Sequence, residues 1–307
     1  MAPAAAPGLT ELEIPLHSTT SLDASPQVKF KRAWQRLETS APQPRHMRNL
    51  RHVPFDELMR NIRQGDDAFV EDFTASMYAG DFYLLKGAYD RAFLQDVARR
   101  VFAFGQSRPP SFHKMLDGTP DFHRVIDDGS TVDYSLRALR HGFYFYRFNE
   151  DPAGVYRDFT PAWRTVKTIS GLEPTAFEPN VPHDGTVDRI VVYLYPYGGG
   201  NLKAHIDPTN NHKTTTGVMM STRGVDYDTG GFYCVGADGK PIDLEPSIET
   251  GDMFIFYPTV EHGVMPVDTD KPVDWSNPAG RWFLGVSSVD SDHVTERVTG
   301  QHLAYGF

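Results

Sequence analysis

Three side chains in the C-terminal half of the sequence have the types and spacing of a metal site. His205 and Asp207 are two residues apart, and on an extended strand such side chains project from the same face. His262 lies 55 residues after Asp207, just beyond an apolar run that predicts a strand. Two imidazoles and one carboxylate on one face of an octahedral ion leave three positions open for other ligands. The sequence therefore predicts a metal centre with room for reactants.

Further motifs surround these residues in a fixed order. They are Tyr195-Pro-Tyr-Gly-Gly-Gly, His205-Ile-Asp207, Gly230-Gly231-Phe232-Tyr233, Gly251-Asp252-Met253, His262-Gly263-Val264 and Gly280-Arg281-Trp282. Over about 100 residues, from Ile190 to Val289, this order resembles the Fe(II)/2-oxoglutarate-dependent dioxygenases, and especially their prolyl-hydroxylase-like branch. The order of the motifs is far more specific than any one of them.

The resemblance implies a fold and a set of ligands. The fold would be mainly β with flanking helices, with a double-stranded β-helix core of the jelly-roll or cupin-like kind. His205, Asp207 and His262 would be the catalytic iron(II) ligands. Arg281 and Tyr195 would bind 2-oxoglutarate as cosubstrate, beside dioxygen, with ascorbate as a supporting reductant.

Arg281 also has a physical case, because a guanidinium stays charged and offers a carboxylate a planar, two-pronged partner. The 19 residues from His262 to Arg281 exceed the interval usual in the family, and Asp268–Ala279 is interpreted as an inserted loop. Tyr195 is either a cosubstrate ligand or a core aromatic residue.

Three polar residues near the metal motif are weaker candidates for substrate contacts. They are His212, Lys213 and Arg223. Each of them either lines a substrate channel or faces solvent, and the sequence leaves both interpretations open.

The periodicity of apolar residues predicts the elements that hold these side chains. Helical spacing indicates a helix at Val28–Leu37, and Phe55–Phe104 reads as helix, strand and helix. Residues 105–140 are rich in loops, including Asp127-Asp128-Gly129. Thereafter a helix is predicted at Tyr156–Ile169, together with strands at Phe143–Phe148, Ile190–Tyr195, Gly217–Ser221, Phe232–Val235, Met253–Tyr257 and Trp282–Val286. Short strands at such intervals are typical of a barrel or sandwich.

The chain of 307 residues shows no sharp change in composition that would mark a second domain. We expect an N-terminal extension over residues 1–50, partly flexible, and a single oxygenase domain over residues 51–307. Its β-core should occupy about residues 140–295, with the N-terminal helices as a buttress. The first residues have no basic segment before an apolar one, so they do not read as a signal peptide.

Composition excludes several kinds of partner. The net charge of −10 and pI near 5.6 argue against nucleic acid, and no apolar run is long enough for a membrane span. One cysteine, Cys234, excludes an intrachain disulfide and a cysteine metal cage. We expect a cytoplasmic protein whose metal is held by histidine and carboxylate. The sequence leaves the oligomeric state open.

The resemblance implies hydroxylation, desaturation or cyclisation at an unactivated C–H bond, with release of succinate and carbon dioxide. Asp207 favours these outcomes over halogenation, since halogenating relatives replace this carboxylate with a small residue. The expected substrate is a small molecule such as an amino acid or a biosynthetic intermediate. Three alternatives stay open: a hydroxylase of protein side chains, a cupin-like module that binds a metal or ligand without turnover, and a zinc hydrolase on the same ligands.

Overall fold

Alternating side chains build the C-terminal half into two facing antiparallel sheets. The computed structural model describes residues 24–127 and 136–302. Its strands are β1 Leu50–Pro54, β2 Phe82–Lys86, β3 Phe122–Ile126, β4 Ala138–Tyr146, β5 Thr186–Pro196, β6 Gly200–Ile206, β7 Thr215–Met219, β8 Gly231–Val235, β9 Pro241–Asp243, β10 Met253–Phe256, β11 His262–Val267, β12 Gly280–Asp290 and β13 Gln301–His302. The predicted N-terminal tail up to residue 23, and residues 128 and 129 of the predicted turn, lie outside the described residues.

The strand order is that of a double-stranded β-helix. One sheet runs β1-β2-β10-β7-β12-β5-β4 with β3 added to β4, and the other runs β6-β11-β8-β9 with β13 added to β6. Ala138 and Leu139 of β4 also pair with β6, so the two sheets are continuous at this edge. Only β1 and β2 pair in parallel, and every other pair of these strands is antiparallel. Rings from the two sheets touch in the interior, as Phe232 and Phe254 do at 5.5 Å between centroids. The predicted fold class is confirmed.

Successive side chains of a strand point to opposite faces of the sheet, so one set packs against the helices and the other lines the interior of the barrel. In β5, Ile190, Val192 and Leu194 pack in the cluster that contains the helices, whereas Tyr195 packs in the interior cluster. Large apolar or aromatic residues on both faces bury this sheet on both sides. The interior face therefore carries the side chains that are available for chemistry.

In the described part of the chain, five α-helices cover the outer face of the larger sheet. They are α1 Pro26–Ser40, α2 Phe55–Gln64, α3 Asp67–Tyr78, α4 Arg91–Gln106 and α5 Val155–Ile169. A buried ion pair between Lys167 and Asp188, 2.5 Å long, joins α5 to β5. This packing corresponds to the predicted helical buttress. The division at residue 50 stays a prediction.

Two details differ from the sequence prediction. The segment Phe55–Phe104 contains two helices before its strand, because Gly65 ends α2 in the left-handed conformation and Asp66 caps α3 through the backbone N–H of Phe69. The loop-rich region 105–140 also contains β3 and the beginning of β4. Within the described residues, no helix has the length and apolar character to cross a membrane.

Candidate metal centre

Two neighbouring strands of the smaller sheet bring the predicted histidines together. His205 is the penultimate residue of β6 and His262 is the first residue of β11. They are direct partners in the antiparallel pairing of these strands, and their ring centroids are 4.2 Å apart. Both side chains are buried. The two histidines, which are 57 positions apart in the sequence, therefore lie side by side on the interior face of the sheet.

Asp207 completes the group from the position just after β6. Its carboxylate oxygens lie 3.8 Å from Nε2 of His205 and 3.7 Å from Nε2 of His262. Thr215, the first residue of β7, donates its hydroxyl to Oδ2 of Asp207 at 2.9 Å. This hydrogen bond restricts the orientation of the carboxylate beside the histidines. A carboxylate held in this way presents its remaining lone pairs to the imidazoles.

Backbone carbonyls set the orientation of both imidazole rings. Nδ1 of His205 bonds the carbonyl of Lys203 at 3.0 Å, and Nδ1 of His262 bonds the carbonyl of Val260 at 2.9 Å. Nδ1 must carry the proton in each of these bonds, so Nε2 is left with a free lone pair. Ligating histidines commonly have their second nitrogen anchored in this way.

The charge state of the group also suits a cation. Burial is the largest cause that lowers the pKa of His205, followed by the neighbouring His262, so His205 is a neutral donor at neutral pH. Burial opposes ionisation of Asp207, but the facing His262 and His205 and the Thr215 hydroxyl outweigh it, and the pKa of Asp207 lies below its ordinary value. Neutral imidazoles and an ionised carboxylate are the forms that bind metals.

The three donors fit one six-coordinate ion. With metal–ligand bonds of about 2.1 Å, adjacent donors on an octahedron lie about 3 Å apart. The donor atoms here all lie within 4.8 Å of one another, so side-chain shifts of less than an ångström would close the site. Two nitrogens and one oxygen on one face are the donor set described for iron(II) oxygenases.

Arg281 lies deep in the interior, beside a carboxylate of the chain itself. It is the second residue of β12, is paired with Tyr195 of β5, and is buried. Its Nε donates to Oε1 of Glu245 at 2.7 Å, Nη2 contacts the sulfur of Met219 at 3.4 Å, and Tyr227 lies near the guanidinium. Glu245 therefore occupies one edge of the guanidinium. The terminal nitrogens remain for a second carboxylate.

Gly280 allows β12 to approach β5 closely enough to place Arg281 in the interior. Its φ of +141° lies in a region that side chains rarely adopt, and a Cβ there would meet the carbonyl oxygen of Tyr195 at 2.3 Å. Only glycine fits such a close approach of two backbones. The Gly-Arg motif is thus a structural requirement of the pairing between β12 and β5.

Tyr195 lies between two buried arginines. Its ring centroid is 5.8 Å from the guanidinium carbon of Arg281, and Arg140 of β4 hydrogen-bonds its side chain. The side chain is buried in the interior cluster. Tyr195 is thus a buried aromatic residue whose polar end faces a charged group. Its contact with a cosubstrate stays a prediction.

One cavity of about 540 Å³ connects these groups. His205, Asp207 and His262 lie on its wall together with Arg281, Arg140 and His212. Part of the predicted loop-rich region, including Phe112 and Met115, also lines it. The volume is within the range of small-molecule sites.

The other substrate candidates lie elsewhere. Lys213 pairs with Glu38 of α1 at 2.7 Å, and Arg223 pairs with Asp243 at 2.8 Å. Neither residue lines the cavity, and nor does the loop Asp268–Ala279 between β11 and β12. His212 is thus the one of the three weaker candidates that faces the cavity.

A second group of metal-type side chains lies at the surface. Asp117, His183 and His293 bring one ligand atom each within 4.8 Å of the others, but all three residues are exposed. Binding of metal to this group must be controlled in any titration.

Three residues of the site carried no signal in the sequence. Thr215, Glu245 and Arg140 belong to no motif, and the partners of Glu245 and Arg140 are distant in the chain. Only the alternation of β4 and β5 offered a hint, since Arg140 and Tyr195 lie near each other on paired strands.

Comparison with known proteins gives matches only among solved structures. No protein-family model matches the sequence, and no curated protein matches it. A prolyl-4-hydroxylase of Pseudomonas putida is 13% identical, with 68% of this chain and 91% of that chain covered and a TM-score of 0.40. A full-length protein of Neurospora crassa, in complex with alpha-KG and thymine, is 13% identical, with 84% and 92% covered and a TM-score of 0.43.

A third similar structure is a prolyl hydroxylase of Trichoplax adhaerens in complex with a peptide fragment of a hypoxia inducible factor. It is 14% identical, with 68% of this chain and 83% of that chain covered and a TM-score of 0.42. The fold and the site geometry define this chain as a double-stranded β-helix protein with a candidate His/Asp/His metal centre.

Proposed function

We propose that the protein is a non-haem iron(II)- and 2-oxoglutarate-dependent dioxygenase that oxidises an unactivated C–H bond of a small molecule. The observation that carries this proposal is the convergence of His205, Asp207 and His262, with both Nε2 atoms facing one carboxylate. A buried arginine in the same cavity supplies the second requirement, a partner for a dicarboxylic cosubstrate.

Each ligand has a defined task in this proposal. His205 and His262 supply neutral nitrogen donors whose rings are held by backbone carbonyls. Asp207 supplies the negative charge, and Thr215 holds it in place. Iron(II) with 2-oxoglutarate and dioxygen would supply the oxidising power, with succinate and carbon dioxide as co-products. The task of the protein would be to orient the reactants and exclude water.

Arg281 is the proposed anchor for the far carboxylate of 2-oxoglutarate. Glu245 takes the Nε edge of the guanidinium, so the two terminal nitrogens can bind a carboxylate in a two-pronged manner. Tyr195 lies beside this group and would contact the same ligand. In this arrangement Glu245 is a positioning residue, because it holds the guanidinium plane at a fixed angle.

The cavity favours a small-molecule substrate. Its volume of about 540 Å³ accommodates the cosubstrate together with a compact second molecule, and aromatic side chains such as Tyr144 and Tyr193 form part of its wall. Hydroxylation, desaturation and ring closure remain equally compatible with this arrangement. A substrate on the side chain of a protein would have to enter the same cavity.

Succinate formation tests the proposal. Purified full chain with iron(II), ascorbate, 2-oxoglutarate and oxygen should release succinate, and candidate small molecules should stimulate the release. His205→Ala should abolish it, and omission of oxygen should do the same. Activity that persists without oxygen would indicate a hydrolase instead, and stimulation only by polypeptide fractions would indicate a protein substrate.

Metal binding separates an enzyme from a silent module. Mn(II) titrations should be carried out with the double variant His183→Ala/His293→Ala, so that the exposed group of Asp117, His183 and His293 does not contribute to binding. We expect binding at the buried site that is lost in His262→Ala. Binding of Mn(II) and 2-oxoglutarate without succinate release under any condition would instead support a cupin-like binding protein.

A further inference from the structure

Arg140 is a buried guanidinium that the proposed reaction does not use. It lies near the beginning of β4, is 4% exposed, and lines the cavity of the metal centre. Its guanidinium carbon is 4.1 Å from the centroid of the Tyr193 ring, and it also hydrogen-bonds the side chain of Tyr195. Burying an arginine in this way is costly unless a partner compensates the charge.

Within residues 24–127 and 136–302, no carboxylate pairs with Arg140. Its Nε is buried and makes no hydrogen bond there. The cavity contains three aspartates, and each has other partners. Asp207 bonds Thr215, Asp290 accepts from two asparagines, and Asp292 pairs with Arg297.

The cavity as a whole is positively charged. Among the described residues its wall carries five arginines and one lysine against three aspartates, although the chain has a net charge of −10. This local reversal of sign would attract an organic anion to the part of the cavity that the arginines line. Arg281 is already compensated in part by Glu245. Arg140 is the buried arginine for which no such compensation is found in the described part of the chain.

The surroundings of Arg140 are aromatic. Tyr193 lies under the guanidinium, and the rings of Tyr144 and Phe283 lie 6.2 and 6.4 Å from that of Tyr193. Phe122 stacks on Tyr144 at 4.9 Å and extends this wall. A flat or apolar body would pack along these rings while its charged end meets Arg140.

We propose that Arg140 binds the carboxylate of the organic substrate, so that the substrate is an acid with an apolar or aromatic body. This inference rests on the proposed function, because only an enzyme has a substrate, but binding of such an acid does not depend on turnover. The guanidinium would bind the carboxylate in a two-pronged manner, and the wall of rings would hold the body beside His205 and Asp207.

Titration calorimetry with two matched probes tests the proposal. The probes are 3-phenylpropanoate and its uncharged amide, 3-phenylpropanamide, added to the full chain without metal or cosubstrate. We expect the acid to bind about ten-fold more tightly or better, because a hydrogen bond to a charged partner is stronger than one to a neutral group. Arg140→Gln should reduce this ratio to about one. Equal binding of acid and amide by the unmodified chain would overturn the proposal.

Arg223→Gln is the matched control, because it also replaces one arginine by glutamine, but Arg223 pairs with Asp243 outside the cavity. It should keep the full preference for the acid. If Arg140→Gln fails to fold, Arg140→Lys replaces it, and its preference should fall at least three-fold because the planar fork is lost. An unchanged preference in a folded Arg140 variant would refute the assignment.

A second titration distinguishes the substrate from the cosubstrate. With Mn(II) present, Arg140→Gln should bind 2-oxoglutarate as the unmodified chain does, and saturating 2-oxoglutarate should leave binding of 3-phenylpropanoate in place. If Arg140→Gln loses 2-oxoglutarate binding but still prefers the acid to the amide, Arg140 binds the cosubstrate and the proposal is overturned. Failure of the chain to bind Mn(II) or 2-oxoglutarate at all would count against the proposed function alone.

Discussion

Replacement of Glu245 by glutamine should lower the stability of the protein and raise its affinity for 2-oxoglutarate. Glu245 and Arg281 are both buried and are joined by a 2.7 Å hydrogen bond. Glutamine keeps the size and an acceptor oxygen but removes the charge, so the guanidinium remains buried without compensation. Removing one partner of a buried pair costs about 3–5 kcal/mol. At about 2 °C per kcal/mol for a chain of this size, the melting temperature should fall by roughly 6–10 °C.

2-Oxoglutarate should then restore part of that loss. Its far carboxylate would supply the missing negative charge in Glu245→Gln, whereas in the unmodified chain it must share Arg281 with Glu245. We therefore expect the variant to bind 2-oxoglutarate at least ten-fold more tightly, a gain of about 1.4 kcal/mol. Because a ligand of the native state raises stability with its concentration, melting curves with Mn(II) and increasing 2-oxoglutarate measure both effects.

Asp188→Asn is the control for this experiment. It removes one charge from the buried pair with Lys167, which lies on the helix side of the sheet and does not line the cavity. It should lose stability without any gain in affinity for 2-oxoglutarate. If 2-oxoglutarate stabilises Glu245→Gln no more than it stabilises the unmodified chain, Arg281 is not the cosubstrate anchor.

Three further perturbations probe the metal support, the strand pairing and the core. Thr215→Val removes the hydroxyl that holds Asp207 and should weaken Mn(II) binding roughly ten-fold in titrations without unfolding the chain; unchanged affinity would remove Thr215 from the site. Gly280→Ala should cost about 2 kcal/mol or more in denaturant unfolding, because φ is strained and a Cβ would meet Tyr195. Burial and then His123 lower the pKa of His141 to about 3, so the unfolded state takes up the proton first as pH falls. His141 should therefore contribute a loss of stability between pH 6.5 and 3, about 2 kcal/mol at pH 5 relative to pH 7.5; His141→Gln should remove this part of the pH dependence, and an unchanged slope would contradict the assignment.

The sequence predicted the position of the metal-type residues because their placement depends on local rules. A spacing of two on a strand places His205 and Asp207 on one side, and the apolar run before His262 marks the strand that precedes it. The apolar runs also predicted β5, β7, β8, β10 and β12 to within a few residues, but they did not predict β6 and β11, which carry the two histidines. Whether the three residues bind iron in solution remains a prediction for the titrations above.

Residues that act through long-range packing could not be found in this way. Glu245 begins a short 3-10 turn after β9, and its meeting with Arg281, 36 positions later, depends on how β8 and β12 close the barrel. Thr215 and Arg140 likewise gain their roles from strand pairing. Lys213 and Arg223 were considered for the cavity because they are near the motif in sequence, but their side chains pair with Glu38 and Asp243 instead.

The long interval between His262 and Arg281 has a physical explanation in the anchoring of its two ends. At the start of the loop, buried Asp268 accepts hydrogen bonds from the backbone of Asp228 and Thr229. At its end, Gly280 is fixed by the close approach to β5. The residues between these anchors can increase in number without moving β11 or β12, since loop closure costs little more for a longer loop. The spacing therefore carries no information against Arg281, whose position depends on its pairing with Tyr195.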